Sequence, residues 1–348
     1  MPGKNRDSLE PVRWKNGVLE AIDQTRLPAK LVYVRMRKVE QVCSAIRSMK
    51  VRGAPLIGVV GGYGLVLGAM SIRSSDLSQA RSKLRKYADS LILTRPTGVN
   101  LRWAVERVFK ASSRALSVRS LDGELLKEAE MILREELEAA HNIGHFGASL
   151  IEEGDTVLTH CNAGSLATAG YGTALAVVRS AVEDGKNVSV IATETRPLLQ
   201  GSRLTAFELS RDKIPVRVIC DSAAAQLMAQ GLVDKVVVGA DRILGTGHVT
   251  NKIGTLPIAL AAKFYGVPFY VAAPASTFDL VTDVSRAVIE ERNQREVLLI
   301  GGRRFSPRSV GALNPAFDIT PPELVTGIVT DRGVVNPPLA ENIRAIFG

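Results

Sequence analysis

The run Val157-Leu158-Thr159-His160-Cys161-Asn162-Ala163-Gly164 decides how the chain is read. Apolar and β-branched residues lead into a polar, glycine-ended turn, and small residues at helical spacing follow from about Ser165. The expectation is strand, turn, helix, with Cys161 at the carboxyl end of the strand. In open parallel α/β sheets, ligands collect just outside those strand ends. A helix amino terminus nearby lowers a thiol pKa, which makes Cys161 a candidate catalytic group. The competing reading is a small buried hydrophobe, the commoner fate of a free cysteine.

Downstream of this run the rhythm repeats. Short, largely apolar segments at 156–159, 188–192, 216–219, 236–239 and 269–273 read as strands. Helical patterns at about 166–184, 200–210, 222–230 and 253–265 separate them. Strands without polar alternation, spaced by helices, indicate a parallel sheet covered on both faces. Upstream, Asn16-Gly17 between alternating segments signals a hairpin, and 30–37 is a further short strand. The rest of that half is helical by spacing: 39–49, then 57–70, 77–93, 101–115 and 122–150. The glycines of 57–70 do not follow the G-x-G-x-x-G spacing and no strand feeds them, so they indicate a closely packed helix. The polar face of 122–150, with Glu124 and Glu128 in repulsive i,i+4 register, is expected to be simply solvated. The fold class is therefore α/β: a mainly helical amino-terminal domain over 1–150 with a short β-hairpin, then a Rossmann-like domain over 151–348.

Composition narrows the function classes. The chain has 348 residues, 46% of them apolar and 23% charged, typical of a globular protein. No segment is expected to span a membrane, and the polar opening residues lack the apolar core of a secretory signal. Cys43, Cys161 and Cys220 are widely separated, show no metal-ligand spacing and suit a reducing cytoplasm. His141 and His145 stand four apart without an acid nearby, so no metal is expected there. The formal charge of +9 invites a nucleic-acid reading. Aromatics are only 5%, however, and the basic residues are spread, the densest groups being 35–38 and 303–308. A nucleic-acid partner is not expected; an anionic small molecule accounts for a few buried arginines equally well. No glycine fingerprint follows the first strand of the sheet, so neither NAD nor FAD is expected.

Polar groups converge just past the expected strands: Cys161, Glu194 with Thr195, Asp221, Asp241, and Pro274 with Ser276. Asp241 follows an apolar strand, where partial desolvation would raise its pKa and let it donate a proton near neutrality. It could equally cap the following turn or pair with Arg242. Asn251-Lys252 is expected to open a helix whose free donors could hold a phosphate. Thr195-Arg196-Pro197 with Gln200-Gly201 offers a second such place, unless Arg196 forms only a surface ion pair. Upstream, Arg52-Gly53-Ala54-Pro55 is a rigid turn, with Ala54 held extended by the proline, that can present N–H groups to an anion.

These residues carry a close resemblance. The sequence resembles the methylthioribose-1-phosphate isomerases, in the superfamily shared with the regulatory subunits of the translation-initiation guanine-nucleotide exchange factor. The matching stretches run along the chain: 51–55, 95–101, 159–164, 195–205, Gly239-Ala240-Asp241-Arg242-Ile243, Asn251-Lys252-Ile253-Gly254-Thr255, 269–274, 276–280 and 314–318. Individually several are weak; in order and at these intervals they are specific. The resemblance implies an aldose–ketose isomerase of methionine salvage, a homodimer without cofactor or metal. It further implies that Cys161 and Asp241 form the catalytic pair. Arg52, Gly53, Ala54, Arg95, Gln200, Asn251 and Lys252 would hold the sugar phosphate. Related isomerases of ribose 1,5-bisphosphate or 5-deoxyribose 1-phosphate share the pair and stay open. So does a non-catalytic regulatory subunit, although binding alone would not need both Cys161 and Asp241.

Overall fold

The structure, a computed structural model, describes residues 9–348. Its elements are, in order, β1 (Val12–Lys15), β2 (Val18–Ile22), β3 (Tyr33–Met36), α1 (Val39–Arg47), α2 (Ala54–Ser71), α3 (Leu77–Ile92), α4 (Val99–Ala111) and α5 (Val118–Ala148). There follow β4 (Thr156–Thr159), α6 (Ala174–Glu183), β5 (Ser189–Thr193), α7 (Ala206–Arg211), β6 (Val216–Ile219), α8 (Ala224–Ala229) and β7 (Lys235–Val238). The chain continues through β8 (Arg242–Leu244), β9 (Val249–Lys252), α9 (Thr255–Tyr265), β10 (Phe269–Ala272), β11 (Phe278–Asp279) and α10 (Arg295–Leu298). It ends with β12 (Leu299–Ile300), β13 (Arg303–Arg304), β14 (Phe317–Thr320), β15 (Gly327–Thr330), β16 (Gly333–Val335) and α11 (Leu339–Phe347). The described residues divide into two compact units, one of residues 9–141 with 164–172 and one of residues 142–163 with 173–348.

The first unit is helical apart from a β1-β2-β3 sheet. Asn16 and Gly17 both take positive φ, 49° and 74°, the turn geometry that a two-residue hairpin requires. Its centre is α2, whose residues from Pro55 to Ala69 are all buried. The closely packed helix expected over 57–70 is there, but it begins earlier, at Ala54. By length and composition α2 is apolar enough to cross a membrane, yet 89% of it is buried within the protein, as suits a core helix. Its glycines allow that burial: a Cβ on Gly58 would stand 2.9 Å from the Asn100 carbonyl oxygen and one on Gly61 2.4 Å from Leu101. The α5 face also departs from expectation. Glu128 is buried and its carboxylate is held by Arg107, 2.7 Å away, and by Arg114. The cross-helix arginines offset the repulsion that the i,i+4 spacing suggested.

The second unit is built on a seven-stranded sheet in the order β16-β15-β10-β7-β4-β5-β6, parallel except for β16. Neighbouring side chains of one strand enter opposite cores, as a doubly covered sheet requires. Val236 and Val238 pack with Val271, Ile258 and Ile328, whereas Val237 packs with Val157, Val190 and Val177. A second sheet, β11-β8-β9-β14, interrupts the alternation after β7. It was not expected from the sequence. Its consequence is that Asn251 and Lys252 lie in β9 and not at a helix start; α9 begins three residues later. Likewise α6 begins at Ala174, so the helix expected from about Ser165 is preceded by an irregular stretch with one 3₁₀ turn, Ser165–Ala167.

Candidate active site

The backbone around Cys161 is tightly specified. His160 is fully buried, with Nδ1 2.7 Å from the Thr193 hydroxyl and Nε2 2.9 Å from the Ile253 carbonyl oxygen. That carbonyl only accepts, so Nε2 carries the proton and Nδ1 accepts from Thr193. Burial pushes the imidazole pKa down, which keeps the ring neutral. His160 is therefore a pin joining β4, β5 and the turn after β9. Cys161 itself takes φ 64°, uncommon for a non-glycine residue. Its N–H donates to the Thr195 hydroxyl (2.9 Å), and its carbonyl accepts from the Thr205 hydroxyl (2.6 Å). Thr195, also at positive φ (65°), is β-branched, where that conformation costs of order 1–3 kcal/mol. With no helix starting at Ser165, the thiol gains no help from a helix amino terminus there. Its electrostatic partner is Lys252.

Lys252 is buried, and burial pushes its pKa down while the charges of Cys161 and Asp241 oppose that shift. The three groups thus share one electrostatic neighbourhood: thiol, carboxyl and a desolvated ammonium. Asp241 leaves β7 and is fixed through its N–H, which donates to the Thr250 carbonyl oxygen at 2.9 Å. Arg242 turns to Asp279, 3.7 Å away. Asn251 donates to the Thr255 hydroxyl at 3.0 Å, which in turn donates to the Lys252 carbonyl oxygen at 2.6 Å. Asp318 lies opposite Asn251 in the β9–β14 register and accepts from the N–H groups of Gly254 (2.8 Å) and Leu256 (3.1 Å). Burial pushes that carboxyl up to about 6.

Gln200 is buried, and its side-chain oxygen accepts no hydrogen bond among the described residues. A hydroxyl-bearing ligand suits such an acceptor. Gly201 beside it is obligatory, since a Cβ would fall 1.7 Å from the Thr193 carbonyl oxygen. The Arg196 guanidinium donates to the carbonyl oxygens of Pro197 (3.1 Å) and Val297 (2.8 Å), which gives it a structural role.

In the first unit, Arg52 is buried before Gly53, which caps α2 at φ 105°. A Cβ on Gly53 would stand 2.4 Å from the Ala167 Cα, so only glycine fits. Ala54 is the first residue of α2 and not extended, because Pro55 sits in the first turn, where its fixed φ suits a helix start. Gly53 and Ala54 therefore lie at a helix amino terminus with an arginine beside them, the arrangement that favours anions. Arg95 follows α3 and places Nη1 3.5 Å from the Met49 sulfur. Sequence spacing did not single out Gln24, whose amide donates to the Leu166 carbonyl oxygen (2.8 Å) and the Arg52 carbonyl oxygen (3.4 Å). Nor did it single out Glu208, buried against Asn162. Both act across many residues of sequence, and only buried polarity would have marked them.

Residues 50–337 match the Initiation factor 2 subunit family. The chain belongs to that family. All the candidate residues lie inside the matched stretch. Among members of the family, the methylthioribose-1-phosphate isomerase of Carboxydothermus hydrogenoformans is 50% identical over 98% of this chain and 99% of its own. A Moorella thermoacetica member, named 5-deoxyribose 1-phosphate isomerase, is 48% identical over 98% of each chain. The crystal structure of 5-methylthioribose 1-phosphate isomerase from Pyrococcus horikoshii OT3 superimposes with a TM-score of 0.91 at 41% identity, covering 99% of this chain and 98% of that one.

Proposed function

We propose that the protein is an aldose–ketose isomerase converting 5-methylthioribose 1-phosphate to 5-methylthioribulose 1-phosphate, a step of methionine salvage. The observation that carries this reading is the likeness, over nearly the whole chain, to methylthioribose-1-phosphate isomerases, and the buried Lys252 near Cys161 and Asp241 fits it. The chemistry explains why such groups are needed. A phosphate ester on C1 locks the sugar ring, so the ring cannot open as a free aldose does. Isomerisation breaks the C1–ring oxygen bond, moves one hydrogen from C2 to C1 and leaves a carbonyl at C2. The ring oxygen gains a proton, and the C2 hydroxyl loses one.

Asp241 protonates the ring oxygen, and Cys161 does acid–base work at C1 and C2. Arg52, Gly53, Ala54, Arg95, Gln200, Asn251 and Lys252 hold the sugar phosphate, cations and backbone donors supplying the phosphate contacts. The reaction calls for neither metal nor redox cofactor. The Moorella relative's name favours one second reading, a 5-deoxyribose 1-phosphate substrate. A coupled assay offering methylthioribose 1-phosphate, 5-deoxyribose 1-phosphate and ribose 1,5-bisphosphate side by side decides. The highest kcat/KM is expected for the methylthio compound; turnover of none of them would overturn the isomerase reading.

The same proposal places the protein in the cytoplasm as a homodimer. Three cysteines with no disulfide among the described residues suit the reducing compartment. Exposed Leu260, Phe264 and Tyr265 on α9 supply an apolar face for a second copy. Light scattering on the purified protein should give twice the 37.4 kDa chain mass, and a monomer mass at micromolar concentration would refute the dimer.

A further inference from the structure

We infer that Asp221 is a positioning residue for Cys161, acting through Thr195; the inference rests on the reading of Cys161 as catalytic. Asp221 follows β6 at the carboxyl edge of the sheet. One carboxylate oxygen accepts the N–H of Thr195 and the other the N–H of Arg196, each at 2.7 Å. A carboxylate gripping two successive amides this way fixes the peptide between them. The residue so gripped is Thr195, held at φ 65°, where a β-branched side chain rarely sits. That conformation aims the Thr195 hydroxyl at the Cys161 N–H, 2.9 Å away, while the same hydroxyl donates to the Thr193 carbonyl oxygen at 3.2 Å. Cys161 is itself at φ 64°. Two consecutive strand ends, β4 and β5, thus present left-handed residues that hold one another, and the grip on the second comes from the third strand end, β6.

The geometry explains why a carboxylate is required there. Two N–H donors converge on one side chain, and only a group with two acceptor oxygens satisfies both. Asparagine keeps the shape but offers one acceptor and a donor that faces an N–H. Asp221 also heads a short 3₁₀ turn, Asp221–Ala223, so a purely structural role is the competing account. The two differ in what they disturb. Loss of a structural cap lowers stability, whereas loss of positioning changes the environment of the thiol in protein that is still folded.

The test compares Asp221→Asn, Thr195→Val and Thr195→Ser in the full chain, with folding checked by thermal unfolding. The rate of Cys161 alkylation by iodoacetamide is read across pH by peptide mass, which resolves it from Cys43 and Cys220. Asp221→Asn and Thr195→Val should each lower kcat by about 10²-fold with KM nearly unchanged, as misplacement of a reacting group does. Both should shift the Cys161 alkylation profile away from that of the wild type, and Thr195→Ser, which keeps the hydroxyl, should restore both readouts. A wild-type alkylation profile in Asp221→Asn and Thr195→Val overturns the inference. Cys161→Ser separately tests the reading beneath it: an active serine variant removes the catalytic role, while the alkylation profiles still decide whether Asp221 positions the sulfur. If Asp221→Asn does not fold, the threonine pair decides alone.

Discussion

Asp241→Asn should lower turnover by about 10²–10⁴-fold, the range expected when a general acid is removed. Asparagine keeps the size of the side chain and leaves the N–H contact to the Thr250 carbonyl oxygen intact, so the fold has no reason to change. What disappears is the proton for the ring oxygen. Binding of inorganic phosphate, an anion the buried ammonium of Lys252 should attract, ought to survive the change or strengthen, since a carboxylate near that ammonium is removed. Near-normal turnover in Asp241→Asn would sink the assignment. Cys161→Ser completes the experiment, because two routes for the hydrogen differ in what they ask of the sulfur. If a proton passes through the thiol, serine loses activity to a similar degree, and C2-deuterated substrate in water gives product depleted of deuterium at C1. If hydride moves directly, deuterium is fully retained, and the sulfur matters mainly as a wall that excludes water.

Glu208→Ala should destabilise the protein by about 1–3 kcal/mol, the cost of leaving a buried hydrogen-bond donor unsatisfied, with the loss of one of the two carboxylates on Arg179 added to it. Glu208 is completely buried on α7. One of its oxygens accepts from the Arg179 guanidinium at 2.9 Å and the other from the Asn162 amide at 2.8 Å. Arg179 is itself buried on α6 and keeps Asp212 as an acidic partner once Glu208 is gone. The shift in urea midpoint measures the loss, and a change below about 1 kcal/mol would contradict this account of the pair. Activity should fall as well, because Asn162 adjoins Cys161. Glu208→Gln separates the two effects: it keeps an acceptor for Asn162 but removes the charge and the acceptor facing Arg179.

Much of the second unit is legible from local pattern. The strands β4 and β6 coincide with their apolar runs, and β5, β7 and β10 shift by one residue at their ends. Their side chains are buried on both faces or pair in register, so little besides apolarity is needed to recognise them. Three features were hidden, each for a physical reason. The stretch from Ser165 has the small residues of a helix, yet Gly170 and Gly172 interrupt it and its backbone serves contacts to distant residues. Thr250-Asn251-Lys252 lacks an apolar alternation, and its place in a strand is fixed by pairing with 317–320, far along the chain. β15 and β16 complete the sheet edge but carry glycines that blur their period. At the candidate site the reacting groups could be named from sequence, because each follows a strand. Of the residues that hold them, Thr195 and Asp221 could be placed past strand ends but not given that role, and Thr205 and Glu208 were not named at all, since hydroxyls and carboxylates are common in turns and their partners lie 25–46 residues away.

The short segment 164–172, assigned with the first unit although it follows β4 of the second, has a practical consequence for anyone dissecting the molecule. No single scission yields both halves intact. A fragment ending after α5 would lack the Leu166 carbonyl oxygen that Gln24 bonds, the Ala167 backbone against which Gly53 is fitted, and the Ala169 methyl group of the core. Its partner fragment would carry, just after β4, a nine-residue insert stripped of its lining. Gene fusions, proteolytic mapping and domain-swap chimaeras within the family therefore have to carry 164–172 along with the amino-terminal helices.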